Sequence, residues 1–317
     1  MHFSTESAIL AIMKTKNIIL LLLASFIWGT AFVAQSLGAD ANIGAFTYNC
    51  LRNILGCLVL IPCIPLLDNF KRKSDPEHFD ESKTHFSKPL ILGGILCGFF
   101  LFAASFFQQT GIPYTTVGKA GFITALYIVF VPVLGIFFHK KIGAKIWIGV
   151  LLALVGLYLI SVTEGFSIGK GDFFCLICAF LFAAQIMSVD HFAPQVDGVR
   201  LSCIEFFFCA IFSGIGMILT ETPTWDVIMK AAPSILYVGV FSSGVAYTFQ
   251  IIGQTNANPA IASLLMSLES VFSVLAGWVI LGQTLTPREL GGCALVAVAI
   301  VLANLPERKK AVAKLME

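Results

Sequence analysis

Apolar residues fill ten stretches of this chain, and polar residues are largely confined to the gaps. The stretches cover residues 18–37, 46–67, 90–108, 117–138, 142–162, 173–189, 201–219, 234–252, 260–281 and 290–305. Each is continuous apolar sequence without period-two alternation, which predicts helices and excludes barrel strands. Their lengths, 16 to 22 residues, suit a hydrocarbon core about 30 Å thick at 1.5 Å rise per residue. The ninth stretch, 260–281, reads as one helix introduced by Asn258-Pro259, yet it carries Glu269 near its middle. A charge at that depth costs roughly 2.5–3.5 kcal/mol on insertion scales unless it faces protein, water or a partner.

Charge in the gaps predicts orientation. With the N-terminus cytoplasmic, fifteen Lys and Arg fall on the cytoplasmic side, and only Lys170, Lys230 and Arg288 fall outside. That asymmetry predicts cytoplasmic termini. The segment 68–88 (DNFKRKSDPEHFDESKTHFSK) becomes a cytoplasmic linker of mixed charge for which no regular structure is predicted. The first stretch follows Lys14 and Lys16 and shows no small-residue cleavage site, so it reads as a retained helix and not a signal peptide.

The two halves echo one another. Ala104-Ser-Phe-Phe-Gln108-Gln-Thr-Gly111 and Ala246-Tyr-Thr-Phe-Gln250-Ile-Ile-Gly253 agree at four of eight positions. Downstream, Val131, Gly149, Leu152, Val155 and Leu159 align with Val274, Gly292, Leu295, Val298 and Leu302. Five spans per half is an odd number, so the second half must start from the opposite side of the membrane. The expectation is an all-α membrane protein of ten transmembrane helices arranged as an inverted five-plus-five repeat, with a site near the midplane. Its divisions are an N-terminal tail 1–17, a first repeat 18–163, an outer loop 164–171, a second repeat 172–305 and a basic tail 306–317.

Composition agrees. The chain is 57% hydrophobic and only 12% charged, whereas soluble domains carry about 25% charged residues. A net charge of +2, with basic residues at span ends, gives no reason to expect nucleic acid as a partner. The nine cysteines lie in or beside apolar runs and read as small packing residues. Cys175-x-x-Cys178 has redox or zinc spacing but sits within a helix with no histidine or second pair near it.

Several motifs, in order, resemble the drug/metabolite transporter superfamily, in particular its ten-helix EamA-type branch. They are Ile27-Trp28-Gly29-Thr30-Ala31-Phe32, Tyr48-x-x-Leu51-Arg52, Phe122-Ile-Thr-Ala-Leu-Tyr-Ile-Val-Phe-Val-Pro132 and Ser267-Leu-Glu269-Ser-Val-Phe272. The resemblance covers nearly the whole chain and implies export of amino acids, other metabolites or drugs across the bacterial inner membrane. Two positions depart from it: Glu-Pro becomes Glu269-Ser270, and Gly-Glu-x-Leu becomes Gly282-Gln283-Thr284-Leu285. A kink or ion pair supplied by those residues elsewhere does not carry over.

Besides Lys145, counted above at a cytoplasmic span end, four charged residues fall within the spans. Arg52 and Lys119 are candidates to bind an anionic substrate group. The structural alternatives are an Arg52 that bonds backbone carbonyls and a Lys119 that snorkels to the outer face. Glu269 is the candidate proton carrier, since burial favours the neutral carboxyl, against a purely structural carboxyl. Glu205, near its span's end, reads as interfacial or paired with Arg200. Amides at membrane depth (Gln35, Gln108, Gln109, Gln185 and Gln250) seek partners inside the bundle. Gln108, Gln185 and Gln250, with the deep aromatics Trp28, Tyr127 and Tyr247, complete the candidate substrate site, packing being the alternative for the aromatics.

Gly165-Phe-Ser167-Ile-Gly169 matches a hydrolase nucleophile elbow, but lies in a loop with no histidine at membrane depth. No phosphate-binding or metal-ligand spacing appears, so the expectation is a non-enzyme without cofactor, whose partners are the bilayer and a small-molecule substrate. The functional expectation is a secondary transporter exporting small metabolites by alternating access, with proton coupling through Glu269. The competing reading is a membrane sensor or scaffold that presents segment 68–88 to a cytoplasmic partner.

Overall fold

The computed structural model describes residues 2–74, 80–115, 117–140, 142–161, 169–281 and 286–305. The segment bearing Ser167, residues 282–285 and the basic tail lie outside them. Among the described residues there are thirteen α-helices: α1 (His2–Asp40), α2 (Ala45–Ser74), α3 (Lys88–Gly111), α4 (Val117–Thr124), α5 (Tyr127–Phe137), α6 (Ala144–Ser161), α7 (Lys170–Phe192), α8 (Gly198–Thr220), α9 (Trp225–Tyr237), α10 (Thr248–Gln254), α11 (Pro259–Met266), α12 (Leu268–Leu281) and α13 (Pro287–Asn304). A π-helical segment, Val238–Tyr247, joins α9 to α10. Taken as continuous rods, nine helices among the described residues are long and apolar enough to cross a bilayer, and Ala144–Ile160 is a shorter apolar tenth. Exposed Leu58, Leu66, Phe70, Leu219 and Val279 cover the outer surface, as a lipid-facing wall requires.

Span ends are cut by local chemistry. Asn258 Oδ1 accepts from the Ala260 N–H at 2.9 Å, with Pro259 in the first turn, and Thr286 with Glu289 forms a capping box for α13. Two expectations at chain segments change. The tail before residue 18 continues α1, and the first part of segment 68–88 continues α2 to Ser74, with a 3-10 turn at Glu81–Thr84.

Helices in corresponding places run in opposite directions. A β-carbon on Gly149 would meet the Ala299 carbonyl at 3.1 Å and one on Gly156 the Gly292 carbonyl at 2.7 Å, so α6 and α13 cross antiparallel. The absence of those β-carbons lets the two backbones touch, which substitutes for the hydrophobic driving force that lipid removes. Helices α2 and α8 are antiparallel too: Phe46 packs on Gly216 at one end, and Asp68 pairs with Arg200 at the other. Packing repeats across this axis. Helix α3 lies on α7 and α8, while the α9–π–α10 rod lies on α1 and α2; α12 packs on α1 as α4 and α5 pack on α7. These are two halves related by inversion, as the odd span count requires.

The equivalence can be fixed residue by residue. A β-carbon on Gly98 would meet the Glu205 carbonyl at 2.7 Å and Phe208 Cβ at 3.0 Å. One on Gly239 would meet the Arg52 carbonyl at 3.0 Å and Leu55 Cβ at 2.8 Å. Arg52 and Glu205 therefore occupy the same station in opposite halves. Ten residues separate Gly98 from Gln108, but eleven separate Gly239 from Gln250, and the extra residue is absorbed by the π-helical segment.

Candidate substrate cavity

Spans four and nine, each predicted as one helix, are both broken, and at equivalent places. Helix α4 ends at Thr124 and α5 begins at Tyr127; α11 ends at Met266 and α12 begins at Leu268. At each break the chain tightens into a three-residue turn: Leu126 N–H donates to Ile123 at 3.1 Å, Ile128 N–H to Ala125 at 3.0 Å and Ser270 N–H to Ser267 at 3.2 Å. In the first, Pro132 leaves the Ile128 carbonyl without a helical donor. In the second no proline is needed, because Ser263 and Ser267 turn their hydroxyls onto the carbonyls of Ala260 and Leu264. Ser270, where the resembling family has proline, donates instead to the Gly121 carbonyl at 3.1 Å and ties one broken span to the other.

Broken helices at the midplane let backbone and side chains converge on a cavity without exposing polar groups to lipid. Here they flank a cavity of about 40 Å³. Its aromatic and apolar wall is Trp28, Phe32, Tyr127, Phe182, Ile186, Tyr247 and Met266, and its polar wall is Gln35, Arg52, Gln108, Thr124, Gln185, Ser242, Gln250 and Glu269. The Trp28 and Tyr247 rings lie 4.8 Å apart. The π-helical segment contributes Ser242 and Tyr247 and restores the register that aims Gln250 inward.

Two charges face this space. Arg52 is 2% exposed; its Nη1 makes one long bond, 3.4 Å, to Gln35 Oε1, and its Nε has no partner. Among the described residues no carboxylate lies within ion-pair reach of it. Glu269 is 5% exposed and its Oε1 is likewise unpartnered, beside the Tyr127 hydroxyl. Gly29 makes that placement possible, because a β-carbon there would sit 2.8 Å from the Glu269 carbonyl oxygen. Burying an unpaired guanidinium is costly, and unsatisfied donors beside unsatisfied acceptors are what a bound ligand of both polarities would complete.

An amide chain runs from the polar wall into the protein. Gln250 Nε2 donates to Gln185 Oε1 at 3.0 Å and to Gln254 Oε1 at 3.1 Å, and Gln185 Nε2 donates to Glu205 Oε1 at 2.8 Å. Gln108 reaches Thr124 Oγ1 at 3.4 Å.

Of the candidate residues, Trp28, Arg52, Gln108, Tyr127, Gln185, Tyr247, Gln250 and Glu269 line the cavity, and Lys119 does not. Its ammonium lies 2.7 Å from Asp172 Oδ2, and Asp172 also accepts from Thr115 Oγ1 at 2.5 Å and the Gly169 N–H at 2.8 Å. This cluster joins α4 to α7 at their first turns. Glu205 is not interfacial: it is wholly buried, and Arg200 is bound to Asp68 at 3.0 and 2.5 Å. Phe32 and Phe182 were missed. A signal for them existed, since Phe32-Val-Ala-Gln35-x-x-x-x-Asp40 recurs as Phe182-Ala-Ala-Gln185-x-x-x-x-Asp190.

Membrane-length helices in two inverted halves, broken around a central polar cavity, define a membrane transporter. The chain belongs to the EamA-like transporter family, whose domain matches it twice, over residues 15–162 and 169–305. It is 29% identical over 286 residues to an uncharacterized transporter of Archaeoglobus fulgidus, covering 90% of this chain and 84% of that one. It is 28% identical over 306 residues to a WAT1-related chloroplastic protein of Arabidopsis thaliana, covering 89% and 68%. It is also 24% identical over 297 residues to the threonine/homoserine exporter RhtA of Escherichia coli K12, covering 92% of each. One crystal structure, 19% identical, matches with a TM-score of 0.73 over 92% of this chain and 96% of its own, a likeness of fold.

Proposed function

We propose that this transporter is a secondary exporter of small zwitterionic metabolites, amino acids foremost, working by alternating access. The observation that carries the reading is Arg52, a buried guanidinium lining the cavity with no carboxylate within ion-pair distance among the described residues. A substrate carboxylate supplies the missing counter-charge through charge-assisted bonds. Glu269, across the same cavity, takes the substrate ammonium, and the Trp28, Phe182 and Met266 wall takes the side chain. Glu269 holds a proton when the cavity is empty, because a lone carboxylate at this depth is costly, and releases it as the ammonium arrives. One proton is then exchanged for each substrate. Similarity to a named threonine/homoserine exporter supports amino-acid substrates and the outward direction.

The excess of basic residues in alternate gaps supports a cytoplasmic location for both termini, and the family supports the inner membrane. The repeats at 18–163 and 172–305 interleave around the cavity, and alternating access moves helices of both about it. Counterflow in proteoliposomes tests the reading, with labelled threonine or homoserine outside and unlabelled amino acid inside. Wild type exchanges label, and an imposed pH gradient drives accumulation. Arg52→Ala loses substrate binding, and Glu269→Gln retains exchange while losing the response to the gradient. Absence of flux for every amino acid tried would remove the proposal, and a pH response kept by Glu269→Gln would remove the proton role alone.

A further inference from the structure

The cavity wall is built largely from matched stations. Phe32 and Gln35 on α1 recur as Phe182 and Gln185 on α7, and Gln108 on α3 recurs as Gln250 on α10, so each half contributes the same ring and the same two amides. Because the halves are inverted, matched residues stand toward opposite ends of the cavity. At two further stations the halves differ. Thr124, the last residue of α4, has Met266, the last residue of α11, as its counterpart. Ser36, next to Gln35, has Ile186, next to Gln185; Ile186 lines the cavity and Ser36 does not.

Both differences run in one direction. Thr124 is polar and held by Gln108, whose Nε2 donates to its Oγ1 at 3.4 Å, and the same half supplies Arg52 and Gln35. In the other half Phe182 and Ile186, four residues apart, share a face of α7, and with Met266 they belong to one buried apolar cluster. The amides of that half, Gln185 and Gln250, are bonded to one another at 3.0 Å. A frame that is matched in its rings and amides therefore has one polar end and one apolar end. The whole cavity is about 40 Å³, room for about three waters. The ammonium, α-carbon and carboxylate of an amino acid already fill such a space, so the side chain admitted depends on the residues that close the apolar end.

We propose that Ile186 and Met266 determine specificity: they close the cavity with an apolar end that takes a short aliphatic side chain and turns away a ring. The proposal rests on the zwitterion reading and narrows its substrates to amino acids with short side chains. Aliphatic carbon gains by leaving water for this end, and a ring meets side chains that have no room to part.

The test measures Kd on purified full-length protein for glycine, L-alanine, L-norvaline and L-phenylalanine, each read as its ratio to glycine. In wild type the affinity rises from glycine to norvaline by up to about fourfold per added carbon, and phenylalanine binds about tenfold or more weaker than norvaline. Met266→Thr and Ile186→Ser, each bringing in the residue of the matched station, flatten the rise. Met266→Ala opens the end, and phenylalanine gains about tenfold relative to glycine. The two sites serve independently, so one variant that fails to fold leaves the other to decide. A merely structural role weakens all four ligands by one factor and leaves the ratios where they were; that outcome, or wild-type ratios in the variants at either site, overturns the proposal. A wild type that binds glycine and norvaline equally overturns it while leaving the zwitterion reading in place, and a wild type that binds none of the four overturns both.

Discussion

Gly29 on α1 lies directly against Glu269 on α12, so close that a β-carbon would fall 2.8 Å from the Glu269 carbonyl oxygen and 2.8 Å from the Ser273 nitrogen. These are backbone atoms and cannot rotate away. Gly29→Val is expected to destabilise the protein by about 1–3 kcal/mol and to weaken substrate binding, since α12 carries Glu269 with it as it shifts. Thermal unfolding in detergent and substrate titration measure the two effects. A variant with wild-type melting and affinity would show that the helices part without strain.

Arg52 is expected to be irreplaceable by lysine. Its guanidinium offers a planar fork to a carboxylate, whereas lysine offers a point charge on a flexible stem. Arg52→Lys should lower affinity for carboxylate-bearing substrates by about ten- to a hundredfold, the scale of charge-assisted hydrogen bonds, with little effect on ligands that lack a carboxylate. Isothermal titration with an amino acid and with its decarboxylated amine separates the two. Equal loss for both would point to a packing role.

Asp172 gathers three donors, from Lys119, Thr115 and the Gly169 N–H, and is itself only 3% exposed. Asp172→Ala removes the acceptor these donors share and is expected to cost about 2–3 kcal/mol, less than a fully buried pair because Lys119 is 22% exposed. Lys119→Met should leave substrate affinity within about twofold, because the lysine is not at the cavity. Equilibrium binding checks this, and a tenfold loss would restore Lys119 to the site.

Cys57 on α2 and Cys203 on α8 have sulfurs 3.5 Å apart, within reach of a cross-link after a small side-chain rotation. Oxidation by copper phenanthroline should yield a faster-migrating band on non-reducing gels that Cys57→Ser abolishes. Transport should persist, because α2 and α8 are also fastened at both ends, by Asp68 to Arg200 and by Glu221 to the N–H groups of Phe46 and Thr47. Loss of flux on cross-linking, restored by reductant, would mean that these helices separate during the cycle.

The sequence by itself determined the class of fold and much of the cavity wall. Hydrocarbon rejects charges and amides, so Arg52, Gln108, Gln185, Gln250 and Glu269, set within apolar runs, had to face inward, and an odd number of spans per repeat had to invert the second half. Depth along a helix is legible in a sequence; direction around its axis, and the partner met there, are not. Lys119, read as a cavity residue, and Glu205, read as interfacial or paired with Arg200, therefore turn out otherwise: packing brings Asp172 to one and Gln185 to the other. The breaks at Ala125 and Ser267 and the π-helical insertion were equally hidden. They hold because the opposing half supplies the hydrogen bonds and close backbone contacts that an isolated helix lacks, and those partners lie more than a hundred residues away in the chain.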